Sequence, residues 1–303
     1  NKPAREIQNY LIHIGQTLET ESIPEAIDSY SSLSSDGETQ INVLGWVGLI
    51  LDQSSLYDLA LEVFQSAERL LIPERSAYSP ATLRFYKHWI RTLTTTGTYE
   101  SALELVRPIL KHLGTMYGED SDPYLRALSD YANILTRQGD SDKKEAERIY
   151  SRLIDINQQS GDTDALLSAQ GLLINLLIGE DRLEEAEQLL NHHIKSMQEH
   201  EFSLESIYRA ESKLGLIYSQ TGRSIDAERV LGRLYQNQVD LQGEMHEDTV
   251  ATATKLTAVY TDLENHQEAQ RFGLIAVNGY TALFGGDHYD TAVAVANLAY
   301  AHE

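Results

Sequence analysis

Ten histidines and 46 acidic side chains are the residues of this 303-residue chain most able to do chemistry. His192, His193 and His200 lie close in sequence and invite a metal-site reading. Successive residues of a helix point about 100° apart, however, and a seven-residue step spans two turns, so the three do not converge on one ion. They read as surface or interface histidines. Cysteine is absent, which removes disulfides, thiolate metal sites and cysteine nucleophiles together. The chain has no Gly-rich phosphate loop, no Gly-x-Ser-x-Gly elbow and no His-Glu-x-x-His stretch. No catalytic residue, metal or cofactor is assigned, and an enzyme is not expected.

Side chains in this sequence are positioned by a repeat. Leu214-Gly215-x-x-Tyr218 aligns with Leu256-x-x-x-Tyr260, and the same offset pairs Ala227 with Ala269, Gly243 with Gly285, and His246 with His288. A small residue recurs at Ala26, Ala60, Ala102, Ala146, Ala186, Ala227 and Ala269, and an eighth copy begins at Thr291. In each copy an apolar run at helical spacing ends at a turn-prone site such as Gly97, Gly139, Asp181 or Gly222, and a second run starts just before the Ala. Each copy is therefore a hairpin of a helix A and a helix B. Their apolar faces are buried only by each other and by the next copy, so three or more copies are needed. Ser79-Pro80, Asp122-Pro123, Asp248 and Asp290 mark the starts of A helices as expected N-caps.

Gly48 to Ala60 with Phe64 and Ala67, and Leu214-Gly215-x-x-Tyr218 followed by Ala227, Leu231 and Leu234, resemble the tetratricopeptide signature. The resemblance covers nearly the whole chain. Armadillo and HEAT repeats have a similar length, but their third helix and proline placement are missing. Gly-x-x-His-x-Asp-Thr at Gly243–Thr249 and Gly285–Thr291, Glu145-Ala146-Glu147, Glu185-Ala186-Glu187 and Asn297-Leu298-Ala299 are similar to the kinesin light chain type of repeat. Glu247 and Tyr289 stand where that type has proline, and most copies lack a counterpart of Asn297. The resemblance implies an all-α, right-handed superhelical solenoid of antiparallel helix pairs. It is expected to form a single array over residues 1–303, with the A helices lining a concave face.

Counting back from each turn gives the helix A residues not used in packing. They are Arg84, Arg126, Ser168, Arg209 and Ala251; then His88, Asp130, Leu172, Lys213 and Lys255; then Arg91, Asn133, Asn175, Leu216 and Ala258. With Lys87, this stripe is basic against a lone Asp130, on a chain of net charge −22. Such a groove would steer and orient an acidic partner, Arg offering bidentate contact to carboxylates. Asn133 and Asn175 would hydrogen-bond the backbone of a bound segment. Trp46 is equivalent to His88 and is expected in the groove as an anchor, whereas Trp89 aligns with the core positions Tyr131 and Leu214. Tyr30, Tyr150, Tyr218 and Tyr260 fall at packing positions. His246 and His288 recur with the loop and serve the turn. The competing reading is that the bases of the stripe merely neutralise acids on adjacent helices.

The acidic excess disfavours nucleic acid and anionic lipid as partners. No apolar run approaches the roughly 18 residues of a membrane span, and the N-terminus lacks the order of a signal peptide, so a soluble intracellular protein is expected. In the eighth copy Val293, Leu298 and Tyr300 lack one side of their packing, which points to further chain after Glu303 or to an oligomer. The function expected is a non-catalytic scaffold or adaptor that binds a segment of a protein partner, acidic in character. The alternatives are a regulatory or sensor array for a peptide or small molecule and, behind it, an enzyme built on a helical array.

Overall fold

The computed structural model describes residues 37–71 and 78–301, so the copy around Ala26, with Tyr30, lies outside the described residues. Among the described residues there are thirteen α-helices and no strand. They are α1 (Gly37–Gln53), α2 (Tyr57–Leu71), α3 (Pro80–Thr95), α4 (Tyr99–Tyr117), α5 (Asp122–Gln138), α6 (Asp140–Ser160) and α7 (Thr163–Gly179). There follow α8 (Leu183–Glu199), α9 (Leu204–Gln220), α10 (Ser224–Gln242), α11 (Glu247–Asp262), α12 (His266–Phe284) and α13 (Tyr289–Tyr300). Odd-numbered helices are the A helices of the sequence repeat, and even-numbered ones the B helices.

The chain forms two compact units, one up to Ala169 and one from Gln170 onward, divided within α7. In the first, α1 packs on α2, α3 on α4 and α5 on α6, while α1, α3 and α5 lie side by side. In the second, α9 packs on α10, α11 on α12 and α12 on α13, and α11 lies between α9 and α13.

The turn from A to B is one device used repeatedly. Ser55, Gly97, Asp181, Gly222 and Glu264 all take positive φ, between 56° and 77°. One residue further on, the N–H of Leu56, Thr98, Arg182, Arg223 and Asn265 reaches back five residues, to Leu51, Leu93, Leu177, Tyr218 and Tyr260, at 2.8–2.9 Å. This is a Schellman closure, which satisfies a carbonyl the helix end would leave unpaired. Gly139 departs from it, with φ 163° and an immediate start of α6.

At each crossing the recurring alanine is fully buried: Ala60, Ala102, Ala146, Ala186, Ala227 and Ala269 are all 0% exposed. Glycine brings helices closer still at Gly48, Gly215, Gly273 and Gly279. A Cβ on Gly48 would collide with the Phe64 ring, and one on Gly215 with Leu231. The tetratricopeptide-like residues of the sequence are thus close-approach positions, where a larger side chain would force the helices apart.

Helix A starts differ in part from expectation. Ser79 caps α3 and accepts the Thr82 N–H at 3.3 Å. The residue before α5 is Ser121, so Asp122 is already the first helical residue. Asp248 and Asp290 are not the caps either. His246 and His288 are, each accepting through Nδ1 the N–H of the residue two further on at 3.3 Å. The aspartates sit inside the first turn, where a carboxylate complements the positive end of the helix dipole.

The core of the first unit holds Phe64, Phe85 and Trp89, with ring centroids 5.4–6.2 Å apart. In the second unit Leu231, Leu234, Val250, Leu256, Phe272 and Tyr280 form one cluster, with Tyr218 and Tyr260 packed against it. Tyr150 is buried as well. At the end of the described chain Ala294 is buried while Val295 and Tyr300 are exposed.

Candidate functional site

In the first unit the outward stripe of the A helices is built on α1, α3 and α5. Parallel neighbours one repeat apart bring residues of equal rank together. Arg84 Nη2 donates to Asn42 Oδ1 at 2.9 Å, and Trp46 meets His88 with ring centroids 5.9 Å apart. A shallow cleft between α1 and α3 is lined by Ile41, Asn42, Trp46, Ala81, Arg84 and His88. Trp46 is 46% exposed there, whereas Trp89 is 6% exposed in the core. The assignment of the two tryptophans by repeat position therefore agrees with their burial.

Three of the stripe's arginines already hold a carboxylate. Arg91 pairs with Asp52 of α1 through Nε and Nη2. Arg126 pairs with Asp122 at 2.8 Å, and Arg209 with Glu205 at 2.7 Å, each one turn back in its own helix. The stripe is accordingly less basic than the count against a lone Asp130 implied. Two of these acids were findable, because oppositely charged side chains four apart on a helix are neighbours. Asp52 carried no such signal, since it reaches Arg91 from another helix. Asn42, Ile41 and Ala81 were also missed as cleft residues, because they belong to no charge or aromatic pattern.

Arg84, which lines the cleft with Trp46, and Lys87 remain exposed, and Arg84 is held by a neutral amide. The His88 imidazole is pushed below its ordinary range by burial, then by the Arg91 and Lys87 charges, against a smaller opposing pull from Asp52. It is neutral at pH 7. Asp130 on α5 is pushed up to about 6 by burial, with Lys87 opposing. Asn133, one turn further along α5 from Asp130, is half-buried.

In the second unit the stripe is carried by Asn175, Arg209, Lys213 and Lys255. Lys213 Nζ donates to Asn175 Oδ1 at 2.7 Å, so these two predicted residues do meet. Burial, and then Arg209, lower the Lys213 ammonium from its usual range, and burial lowers that of Lys255. Holding the Lys213 ammonium leaves the Asn175 amide nitrogen turned to donate elsewhere. Lys255 Nζ reaches only the Ala251 carbonyl, at 3.5 Å.

His193 is buried, and its Nδ1 lies 3.2 Å from Gln170 Oε1. Burial and the nearby Lys213 charge push it down to about 4. Among the described residues no group of three His, Asp or Glu side chains is placed to hold a metal ion, and no helix is long and apolar enough to cross a membrane.

Helix pairs crossing at a buried alanine, closed by one repeated turn, define a helical-repeat fold of the tetratricopeptide type. Solved structures of that type are similar to it in fold. Nearly identical TPR-like repeats assigned to a kinesin light chain of Podosopora anserina superpose with TM-score 0.60 at 17% identity, over 68% of this chain and 99% of that one. A Rap protein complexed with Competence and Sporulation Factor gives TM-score 0.59 at 14% identity, over 98% and 85%. A tetratricopeptide repeat protein from Parabacteroides merdae gives 0.57 at 13% identity, over 99% and 100%. No protein-family profile matches the chain. No curated protein matches it in sequence.

Proposed function

We propose that this chain is a non-catalytic interaction protein whose A helices bind a segment of a protein partner, and that the segment is acidic. The observation that carries this reading is Trp46, a large aromatic side chain left 46% exposed on the A-helix stripe beside His88 and Arg84. An exposed indole next to an arginine bonded to a neutral amide, on a strongly acidic chain, has a cost in solubility and repays it by contact: apolar area for an anchor residue and charge for its acidic neighbours. In the second unit Lys213, Lys255 and the Asn175 amide offer further donors to a carboxylate or a peptide carbonyl. The bound segment loses freedom on ordering, so affinity is moderate.

The test is a titration of synthetic acidic peptides, with neutral and basic peptides of equal length as controls, read by Trp46 emission and by calorimetry. Acidic peptides bind, and Arg84→Glu with Lys87→Glu weakens them at least tenfold, each lost charged contact being worth roughly 1–3 kcal/mol. Equal binding of all three peptide classes, or full binding by the double reversal, rules the reading out. The second reading, a regulatory sensor, is supported by the likeness in fold to a Rap protein complexed with Competence and Sporulation Factor. It predicts that a bound ligand alters the compactness of the chain in small-angle scattering.

A further inference from the structure

Asp52 is the most unusual charged residue of the first unit. Its side chain is 6% exposed, and it lies at the C-terminal end of α1. Both of its oxygens are taken from α3. The Arg91 guanidinium holds Oδ2 through Nε and Nη2, and the Thr92 hydroxyl holds Oδ1 at 2.9 Å. Arg91 is 48% exposed, so the pair is open to water on one side only.

The sites joined by this bridge are close to the cleft. Asp52 is six residues beyond Trp46 on α1, and Arg91 three beyond His88 on α3, distances of about 9 and 4.5 Å along the two helices. Besides this bridge, α1 and α3 pack closely, with Gly45 against the Phe85 backbone and ring, and share the solvent-exposed bond from Arg84 to Asn42. To that packing the buried pair adds a directional preference for one register.

We infer that Asp52 and Arg91 are positioning residues for the cleft: their ion pair fixes the register of α1 against α3 and so holds Trp46 on His88. Arg91 then serves the groove through Asp52 and does not itself contact the ligand. For its consequence on ligands the inference rests on the reading of this face as the binding face. The positioning is measurable on Trp46 alone.

A protonated imidazole in contact with an indole quenches its emission, so the Trp46 signal, taken as the difference from Trp46→Phe, falls on acidification when His88 is in place. His88→Gln defines complete loss of that quench. The groups facing His88 are Arg84, Lys87 and Arg91 on its own helix and Asp52 across from it. Asp52→Asn keeps the size of the side chain, Arg91→Gln shortens it, and both remove the ion pair. Each is expected to lose most of the pH-dependent quench while the melting transition stays cooperative, and the double variant to lose no more than either alone.

A full quench amplitude in either variant overturns the inference. A shifted midpoint with full amplitude overturns it too, since Asp52 and Arg91 would then act on His88 through charge only. If either variant fails to fold, Thr92→Val, which removes only the hydroxyl bond to Asp52, is expected to reduce the amplitude, and an unchanged amplitude again overturns the inference. Loss of the quench with acidic-peptide affinity intact leaves the positioning standing and removes the cleft from the binding face.

Discussion

His246 and His288 illustrate how a residue that looks catalytic can be fully employed by the backbone. Each occupies an N-cap and lends Nδ1 to the N–H two residues on. The same Nδ1 lies 3.8 Å from Asp248 Oδ2 in His246 and 3.4 Å from Asp290 Oδ2 in His288. Replacement by Asn or Asp keeps an acceptor at the cap, whereas replacement by Ala leaves a donor of the first turn unpaired. His246→Ala is therefore expected to cost about 1 kcal/mol and to lower the melting temperature by roughly 2–4 °C, with His246→Asn near wild type. Equal melting of the two variants in calorimetry counts against the capping role.

Among the helices, the A–B crossings were legible in sequence because they demand small residues at a fixed period. The positions of Ala60 to Ala269 state that demand directly. The polar face was less legible. Helical spacing placed Trp46 and His88 on one stripe and Trp89 in the core, but it could not show that Asp52 crosses to Arg91, since a partner on another helix leaves no mark at helical spacing. Nor could it show the state of Asp130, whose carboxyl on α5 is pushed up to about 6 by burial. The folded-state value lies above that of the unfolded chain, so Asp130 contributes stability fully present below about pH 4, and that contribution is lost as pH rises through 6. Asp130→Asn is accordingly expected to be more stable than wild type at pH 8, by about 1–2 kcal/mol given partial exposure to water, and to show a smaller change between pH 4 and 7. Denaturant unfolding at these pH values decides it, and parallel pH profiles for the two proteins would exclude the assignment.

For the whole molecule the governing quantity is the net charge of −22. A compact chain with 46 acids and 24 bases repels itself, and this repulsion is of long range, so screening relieves it. Raising salt from about 0.01 to 0.1 M shortens the screening length from about 30 to 10 Å. The local ion pairs, such as Arg223 with Glu187 at 2.8 Å, lie well inside either length and lose little. Stability is thus expected to rise with salt over this range. Binding of an acidic segment feels two terms of opposite sign: the attractions of Arg84, Lys87, Lys213 and Lys255, which salt weakens, and the repulsive background of the whole chain, which salt relieves. The attraction acts at contact and the background acts at distance, so screening removes the background first. Association rate and affinity of an acidic peptide are therefore both expected to rise with salt over this range, where those of a basic protein would fall. Melting curves and stopped-flow binding of one acidic peptide across the same salt series test both signs together. A melting temperature or an affinity that falls with salt would show that local pairs and not net charge govern this protein.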